Sequence, residues 1–349
     1  MSGGVDSSAA ALILKRQGYD VIGVSMKLRA GESGKGRCCS LEDFQDARKV
    51  AGLLDIPYYV VNMEQAFSDR VINNFTYHYL KGETPNPCIL CNREMKFDLL
   101  LKKARDLGAE FLATGHYANI IFDNEKKRRL LFKGKDLEKD QTYFLFSMTQ
   151  AQLAKVLFPL GGMKKKQVRE LLREEGISIA EKEESQDICF IDDKGYASFI
   201  SERIADKDIK RGHIISQNGT VLGEHDGIHG FTVGQRRGLG ISSLKRLYVL
   251  GVDRENNNII VGEKEALFSK GLDAVNVNWI SCANRDETFR ASVKIRYGRD
   301  EHPATIYRKG DKVRVEFDSP QMAVTPGQAA VFYNGDEVMG GGWIEGAIK

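Results

Sequence analysis

Several features that would assign this chain to a familiar class are missing from its sequence. No apolar run in the 349 residues approaches the ~20 residues that a membrane-spanning helix needs, and no charged-then-apolar leader precedes the first motif. We therefore expect a cytosolic protein without a membrane partner. The net charge is only +3, which gives no general nucleic-acid signal. Any RNA surface has to come from local basic clusters, of which the candidates are residues 126–129, 164–166 and 235–237.

Cysteine is also scarce, and its use narrows the chemistry. A cytosolic chain does not build a disulfide framework, so its thiols are better explained by catalysis or metal binding. The six cysteines are Cys38, Cys39, Cys88, Cys91, Cys189 and Cys282.

The first eight residues, MSGGVDSS, form a glycine and serine loop ahead of an alanine-rich helix. Adjacent glycines let backbone N–H groups approach a phosphate, serines add donors, and a helix N-terminus attracts anions. The loop lacks the lysine of a Walker A motif and the spacing of GxGxxG, so neither P-loop hydrolysis nor dinucleotide binding is expected. The pattern predicts a pyrophosphate cradle with Asp6 as a magnesium ligand, and a glycine turn that caps an ordinary helix is the alternative.

Helical and strand patterns alternate after this loop. Helices are predicted from Asp6 to Gln17 and after Ser40, with strands at 21–26, 57–62 and 111–114, which indicates a doubly wound α/β sheet. A strand normally precedes the phosphate loop in such a sheet, but this sequence starts inside the loop. We therefore expect that the functional start lies upstream or that Met1 is an internal methionine. Further predictions are a hairpin at 120–133 and helices at 142–148 and 151–157.

The sequence pattern changes after about residue 205. Long helical patterns disappear, and turn signals such as Asn218-Gly219 and Asn334-Gly335 separate short alternating strands. We predict a catalytic domain over 1–205, a small β-rich domain over 206–270 and a C-terminal β-barrel over 271–349. The two β-rich domains are interpreted as the parts that hold RNA.

Three thiols stand in contexts that suggest reactivity. The two-proline segment TPNPCILCN delivers Cys88 and Cys91 to a helix N-terminus, which stabilises thiolates. Half of a structural zinc site is the alternative. Cys189 follows a polar stretch, and periodicity leaves open whether it is a packing residue or a nucleophile. An isolated His116 at a predicted strand end is either a phosphate or base contact or a structural residue.

Two levels of resemblance extend these inferences. SGGVDS resembles the signature of the PP-loop ATP pyrophosphatases, which split ATP into AMP and pyrophosphate. The whole chain resembles the tRNA-specific 2-thiouridylases, which modify the wobble uridine. The stretches that carry this resemblance are MSGGVDSS, Cys38-Cys39-Ser40, TPNPCILCN, ATGHYA, KDQTYFLF, ESQDICFI, FTVGQRRGLGI, TPGQAAVFY and GGGWI.

The resemblance implies a role for each matching residue. Cys91 matches the first catalytic cysteine and Cys189 the cysteine that carries persulfide sulfur, the two forming a transient disulfide. The positions implied to bind ATP are Ser2, Gly3, Gly4, Val5, Asp6, Ser7, Ser8, Met26 and Gly115. The positions implied to contact the target base are Asn86, Pro87 and Cys88. The positions implied to contact the rest of the tRNA are His116, Lys139, Asp140, Gln141, Arg296, Tyr297 and Gln328.

The implied reaction is thiolation of a uridine through its adenylate, with ATP and magnesium. Implied partners are the anticodon loops of lysine, glutamate and glutamine tRNAs and a cysteine desulfurase or relay protein as sulfur donor. Many family members have aspartate at the position of Cys88. Cys88, Cys91 and Cys189 are therefore also candidate ligands of a [4Fe–4S] cluster with one open iron, an alternative sulfur carrier.

Two other functions stay open at this point. A PP-loop ligase that adenylates a small metabolite would need neither paired thiols nor RNA-holding domains. A non-catalytic tRNA-binding or iron–sulfur protein would leave the intact phosphate loop without a use. The role of Cys38 and Cys39 is also open, and Cys282 is interpreted as structural.

Overall fold

The computed structural model describes residues 1–29, 40–183, 188–204, 209–281, 288–310 and 312–349. Cys38, Cys39 and Cys282 lie outside these ranges. No helix in them is both long and apolar enough to cross a membrane. The described chain forms an α/β part, a β-rich middle part and a C-terminal barrel, which confirms the predicted fold class.

The α/β part contains two pairs of parallel strands flanked by helices. Strand β1 (Gly23–Lys27) pairs with β2 (Tyr58–Asn62), and β3 (Leu112–Ala113) pairs with β6 (Val156–Leu157). Met1 is held against β1, where its amino group donates to the carbonyl oxygen of Val24. The helices are α1 Val5–Arg16, α2 Leu41–Leu53, α3 Glu64–Phe67, α4 Asn73–Leu80, α5 Pro87–Leu90, α6 Leu101–Asp106, α7 Gln150–Leu153, α8 Lys165–Glu174 and α9 Gly195–Ser201.

Charged residues at both ends of helix α1 complement the helix dipole and stabilise the helix. Asp6 lies in its first turn, and Lys15 and Arg16 lie in its last turn. Its alanines and Leu12 face inward and are buried, so the small side chains bring the helix close to its neighbours. Two π-helical turns, Ser68–Ile72 and Cys91–Leu100, continue α3 into α4 and α5 into α6.

Two predicted helices of the α/β part are wrong. The segment 142–148 contains only a 3-10 turn, Thr142–Phe144. The segment 151–157 contains the short helix α7, which a Thr149–Gln152 capping box starts, and then the strand β6. Val156 is buried in its pairing with β3. A short apolar run is compatible with a buried strand and with a buried helix. Here the parallel pairing with β3 makes it a strand.

The predicted hairpin at 120–133 exists, but it belongs to a different sheet from the other strands of the α/β part. Strands β4 (Ala118–Asp123) and β5 (Arg128–Lys133) pair antiparallel, and β5 pairs with β16 (Glu337–Ile348) of the barrel. Arg128 strengthens this junction by donating to the carbonyl oxygens of Trp279 and Ile280. Arg128, one of the basic residues at 126–129, therefore contributes to an internal junction.

The middle part is a four-stranded sheet in the order β8-β7-β10-β9. Its strands are β7 Gly212–Ser216, β8 Val221–His225, β9 Tyr248–Asp253 and β10 Asn258–Gly262. A small hydrophobic cluster that includes Ile214, Val249 and Ile259 lies on this sheet.

The barrel closes because its first and last strands pair. In the described chain, six strands run in the order β11-β14-β13-β12-β15-β16, and β11 also pairs with β16. They are β11 Phe268–Trp279, β12 Thr288–Lys294, β13 His302–Lys309, β14 Lys312–Met322, β15 Ala329–Asn334 and β16 Glu337–Ile348. Closure removes free sheet edges and encloses a core of alternating inward residues.

Candidate active site

The glycine loop has the backbone conformation that its sequence predicts. Gly3 has φ +70°, and a Cβ atom at this position would overlap the Asp43 carbonyl group. Gly4 is the N-cap of α1. The hydroxyls of Ser7 and Ser8 both donate to its carbonyl oxygen, at 3.1 and 3.0 Å. These bonds fix the turn at the amino end of α1, and a helix N-terminus is the kind of site that attracts anions.

Asp6 has defined partners at the edge of this loop. Its Oδ1 accepts a hydrogen bond from Tyr117 Oη at 2.8 Å. The Lys165 ammonium donates to Oδ1 at 2.7 Å and to Oδ2 at 2.9 Å. Gly115 has no room for a side chain, since a Cβ atom there would overlap the Asp6 backbone. The predicted ATP residue Gly115 thus packs on the loop, while Met26 lies half-buried in β1.

A second lysine ties the loop to helix α2. Lys182 Nζ donates to the Gly3 carbonyl oxygen at 3.2 Å, and to Asp43 and Asp46 at 2.8 Å each. Burial alone would raise the pKa of Asp43. The hydrogen bonds from Lys182 and Ser40 have the larger effect, so the pKa of Asp43 lies below its usual value. Asp43 is therefore ionised and holds Lys182 beside the loop.

The sequence patterns did not identify these two lysines. Lys165 belongs to the basic run at 164–166, which we interpreted as a candidate RNA surface, whereas its side chain is only 10% exposed. Charge runs are usually solvated, and nothing in the run of three lysines at the start of α8 indicates which side chain faces inward. Lys182 lies in a mixed acidic and basic stretch with no motif of its own.

The described thiols Cys88, Cys91 and Cys189 are half-buried. Asn86 caps α5 by accepting from the Cys88 N–H at 3.1 Å, and Pro87 occupies the first turn. Cys91 and Cys189 both pack against one hydrophobic cluster, which includes Phe67, Phe75 and Phe190. The fold thus brings the two predicted catalytic cysteines to the border of the same cluster.

The sequence suggested two inorganic groups, a [4Fe–4S] cluster and magnesium. No three or more His, Cys, Asp or Glu side chains of the described residues are grouped as a metal site. Cys88, Cys91 and Cys189 therefore do not form the three-thiolate set that the cluster alternative needs, and the geometry does not support it. Magnesium needs fewer protein ligands, because one or two carboxylates together with substrate phosphates are enough to bind it. Asp6 beside the phosphate loop fits that role.

A cavity of about 630 Å³ opens where the three parts of the chain meet. Thr84 and Tyr196 come from the α/β part, Thr232 from the middle part and Gln328 from the barrel. Hydrogen bonds join these parts around it: Thr84 to Thr232 at 3.3 Å, and Gln328 Nε2 to the Thr84 carbonyl oxygen at 2.7 Å. Four residues predicted to bind tRNA line the cavity, namely Asn86, Arg296, Tyr297 and Gln328.

Arg296 and Tyr297 give the cavity a cation and an aromatic face. Arg296 is half-buried and donates to Thr325 Oγ1 at 2.9 Å. Burial lowers its pKa, although the nearby Tyr143 opposes the shift. Tyr297 is 41% exposed, and its ring lies 4.4 Å from that of Phe144. A charged donor beside an exposed ring suits an unstacked nucleobase and its phosphate.

The other predicted tRNA contacts do not line this cavity. His116 is buried between the rings of Phe97 and Phe158, at 5.8 and 5.6 Å, and bonds Thr114 through Nδ1 at 2.7 Å. Burial holds its pKa well below the usual range.

Asp140 and Gln141 lie in the connection that leads to the Thr142–Phe144 turn. Asp140 is buried and accepts from Thr142 Oγ1 at 2.7 Å, and burial raises its pKa. Gln141 Oε1 accepts from the Tyr117 N–H at 3.1 Å. Lys139, beside them, is half-buried. These side chains stabilise the connection next to the phosphate loop.

Comparison with known proteins assigns the family. Residues 1–193 match the family described as the tRNA methyl transferase HUP domain. Residues 197–263 match the tRNA methyl transferase PRC-barrel domain, and residues 269–344 match the aminomethyltransferase beta-barrel domain. The tRNA-specific 2-thiouridylase MnmA of Geobacter metallireducens is 51% identical over 100% of this chain and 96% of its own length. This chain belongs to the tRNA-specific 2-thiouridylase family.

Other members of the family are similarly close. The enzyme of the same name from Acetivibrio thermocellus is 50% identical over 99% of this chain and 98% of its own length. That from Clostridioides difficile is 47% identical over 100% of this chain and 97% of its own length. The family resemblance found in the sequence motifs is thus confirmed along the whole chain.

Proposed function

We propose that this protein is an ATP-dependent tRNA-uridine 2-sulfurtransferase, which converts the wobble uridine of lysine, glutamate and glutamine tRNAs to 2-thiouridine in the cytosol. The observation that carries the proposal is the combination, in one chain, of the phosphate loop with two half-buried thiols, Cys91 and Cys189, on the border of one hydrophobic cluster. A metabolite-amidating ligase would need no such pair of thiols.

The first step activates the base. Uridine O2 attacks the α-phosphorus of ATP, the bond to the β-phosphate breaks, and pyrophosphate leaves. The phosphates lie on the N–H groups and hydroxyls of Ser2, Gly3, Gly4, Val5, Asp6, Ser7 and Ser8, with Met26 and Gly115 near the rest of the nucleotide. Preorganised donors lower the barrier because they meet developing charge without reorganising. Magnesium held at Asp6 supplies further neutralisation of phosphate charge.

The second step transfers sulfur. The terminal sulfur of a Cys189 persulfide attacks the adenylated C2 carbon and AMP leaves, so that a disulfide joins Cys189 to the base. The Cys91 thiolate then attacks Cys189 Sγ, 2-thiouridine departs with the terminal sulfur, and a Cys91–Cys189 disulfide remains. A dithiol reductant restores both thiols. A cysteine desulfurase, directly or through a relay protein, supplies the next persulfide sulfur.

The three-part cavity is proposed to hold the anticodon loop. Exposed loop bases are readily unstacked and read in protein pockets. Asn86, Pro87 and Cys88 face the target base, while Arg296, Tyr297 and Gln328 hold its neighbours. Lys139 is proposed to reach the tRNA backbone. Asp140 and Gln141 stabilise the connection that contains Lys139, and His116 packs between Phe97 and Phe158.

The test is thiouridine formation on unmodified lysine tRNA with ATP, magnesium and a desulfurase-based sulfur source, with AMP measured in parallel. Wild-type protein is expected to form thiouridine and to release AMP only when tRNA is present. Cys91→Ser and Cys189→Ser should form none, while Cys88→Asp, which introduces the residue that many family members have there, should still form thiouridine. Thiouridine at wild-type yield in either catalytic variant would contradict the scheme, and AMP release without tRNA would favour a metabolite ligase.

A further inference from the structure

Cys88 differs in its surroundings from the other two described thiols of the site. It is the second residue of α5, and Cys91 follows the end of that helix and begins the π-helical stretch Cys91–Leu100. Cys91 and Cys189 pack against one hydrophobic cluster, and Cys88 is not among the described residues of that cluster. All three thiols are half-buried, so Cys88 presents a partly exposed thiol outside the apolar surface.

Helix geometry places Cys88 and Cys91 within reach of each other. Cys91 keeps a helical backbone, with φ −59° and ψ −43°. A step of three residues along an α-helix separates Cα atoms by about 5 Å, and disulfides join Cα atoms that lie about 4.4–6.8 Å apart. The Cβ atoms, about 5–6 Å apart at this spacing, have to approach by about 1–2 Å. A disulfide between these two residues therefore closes with a small adjustment of one helical turn.

The start of the helical run also favours Cys88 as an attacking thiol. Residues 87–106 form one helical run, since α5 continues through the π-helical stretch into α6. Asn86 accepts a hydrogen bond from the Cys88 N–H at 3.1 Å, which fixes Cys88 in the first turn. A helix N-terminus stabilises thiolate, and thiolate is the form that attacks disulfides. Cys88 thus has the position of a nucleophile, and Cys91 lies one turn away as its target.

The proposed reaction ends in a state that needs such a nucleophile. Cys189 is left in a disulfide with Cys91, and it cannot accept new persulfide sulfur until that bond opens. Both residues of the bond lie on the border of the hydrophobic cluster, where an external reductant meets an apolar surface. A thiol of the same chain, held one helical turn from Cys91, opens the bond without a second molecule.

We propose that Cys88 is the resolving cysteine of the thiolation cycle, an assignment that rests on the proposed function. The Cys88 thiolate attacks Cys91 Sγ, the bond between Cys91 and Cys189 breaks, and Cys189 leaves as a thiolate. One disulfide replaces another, so this exchange consumes no oxidant or reductant. A dithiol reductant then reduces the disulfide between Cys88 and Cys91. The exchange follows sulfur transfer, so the Cys91–Cys189 disulfide forms first in each turnover.

The order of the two disulfides tests this assignment. Wild-type protein that carries a persulfide is given unmodified tRNA and ATP without reductant, quenched in acid at increasing times, alkylated and mapped by peptide. We expect the Cys91–Cys189 disulfide to appear first and then to decline as a Cys88–Cys91 disulfide accumulates and Cys189 becomes open to alkylation. A Cys91–Cys189 disulfide that persists while Cys88 stays open to alkylation would overturn the proposal.

Reloading of Cys189 tests the consequence for the cycle. After one turnover without reductant, the protein meets a desulfurase that was preloaded with labelled persulfide and freed of cysteine. Wild-type Cys189 should take up label, whereas Cys88→Ser and Cys88→Asp should take up none, because their Cys189 stays in the disulfide. Treatment with a dithiol should restore uptake in both variants, which shows that they are folded. Uptake by the untreated variants at the wild-type level would refute the resolving role.

A redox titration without tRNA or ATP distinguishes the two proposals. The Cys189→Ser protein, equilibrated in glutathione buffers, should form a reversible Cys88–Cys91 disulfide. If it does so while the wild type forms no thiouridine, the proposed function alone is contradicted. If the wild type forms thiouridine but keeps its Cys91–Cys189 disulfide until reductant is added, the resolving role of Cys88 alone is contradicted.

Discussion

Arg29 donates from Nη1 to the backbone carbonyl oxygen of Phe190 across 3.0 Å. Arg29 follows β1, the strand that contains Met26, and Phe190 directly follows Cys189. Phe190 in turn packs edge-on against Phe67 and Phe75, with ring centres 5.7 and 5.2 Å apart. The bond therefore links the strand beside the phosphate loop to the segment that carries the proposed persulfide.

Removing this link should impair sulfur transfer more than nucleotide binding. In Arg29→Ala the Phe190 carbonyl loses its charged donor, which is worth about 1.5–3 kcal/mol, and the Cys189 turn loses its fixed orientation. We expect single-turnover thiolation to slow about tenfold or more while ATP affinity stays unchanged. Arg105→Ala, at an exposed site on α6, is the control. Wild-type thiolation rates in Arg29→Ala would show that the link has no positioning role.

The exposed ring of Tyr297 should contribute to RNA affinity by stacking. Base–aromatic stacking is worth about 1–3 kcal/mol per base. Tyr297→Ala should therefore weaken binding of an anticodon stem-loop by roughly tenfold to a hundredfold, and Tyr297→Phe should bind like the wild type. Fluorescence anisotropy measures the affinity, with Tyr307→Ala on β13 as the matched control. Equal affinities for the Tyr297→Ala and Tyr307→Ala variants would place the stem-loop elsewhere.

Lys182 should stabilise the fold around the phosphate loop more than a surface lysine does. It bonds Gly3, Asp43 and Asp46 with its side chain 29% exposed, so Lys182→Ala leaves two carboxylates facing each other beside the loop. We expect the free energy of unfolding in urea to fall by about 1–3 kcal/mol. Lys49→Ala should lose less than about 1 kcal/mol, because Lys49 meets the same Asp46 at 3.6 Å but is 70% exposed. Equal losses of unfolding free energy in Lys182→Ala and Lys49→Ala would contradict the stabilising role of the Lys182 ion pairs.

His116 should make stability fall in mild acid. Burial lowers its folded pKa well below 6.5, so the histidine is neutral in the fold and takes up a proton on unfolding. Its contribution is fully present above the unfolded pKa and is lost as pH falls toward the folded pKa, with a slope of up to about 1.4 kcal/mol per pH unit. Urea midpoints between pH 5 and pH 8 should fall less steeply for His116→Phe. Parallel curves would show that the pKa of His116 does not differ between the folded and unfolded states.

Local patterns predicted the parts of the fold that depend on neighbours in sequence. The glycines at 3 and 4, the helix start after Ser40 and the proline-rich approach to Cys91 all depend on residues a few positions apart. Such patterns could not predict which strands pair when the strands lie far apart in the sequence. Strand β5 pairs with β16, whose sequence lies about two hundred residues later, and this pairing depends on how the barrel packs against the α/β part.

The same limit applies to the site. A run of three lysines gives no sign of which one faces inward, because the direction of Lys165 depends on where α8 packs against α1. His116 was expected at a ligand-binding edge because it ends a strand, and the rings of Phe97 and Phe158 enclose it instead. The cavity combines three segments that no single motif spans.

The most direct test of the central claim follows one sulfur atom. The protein is loaded with labelled persulfide by a desulfurase, separated from it, and given unmodified tRNA and ATP in a single turnover. We predict that the label leaves Cys189 for the tRNA, that one AMP is released for each sulfur transferred, and that peptide mapping then finds a Cys91–Cys189 disulfide. Transfer of the label at the same yield from the Cys189→Ser protein would contradict the account.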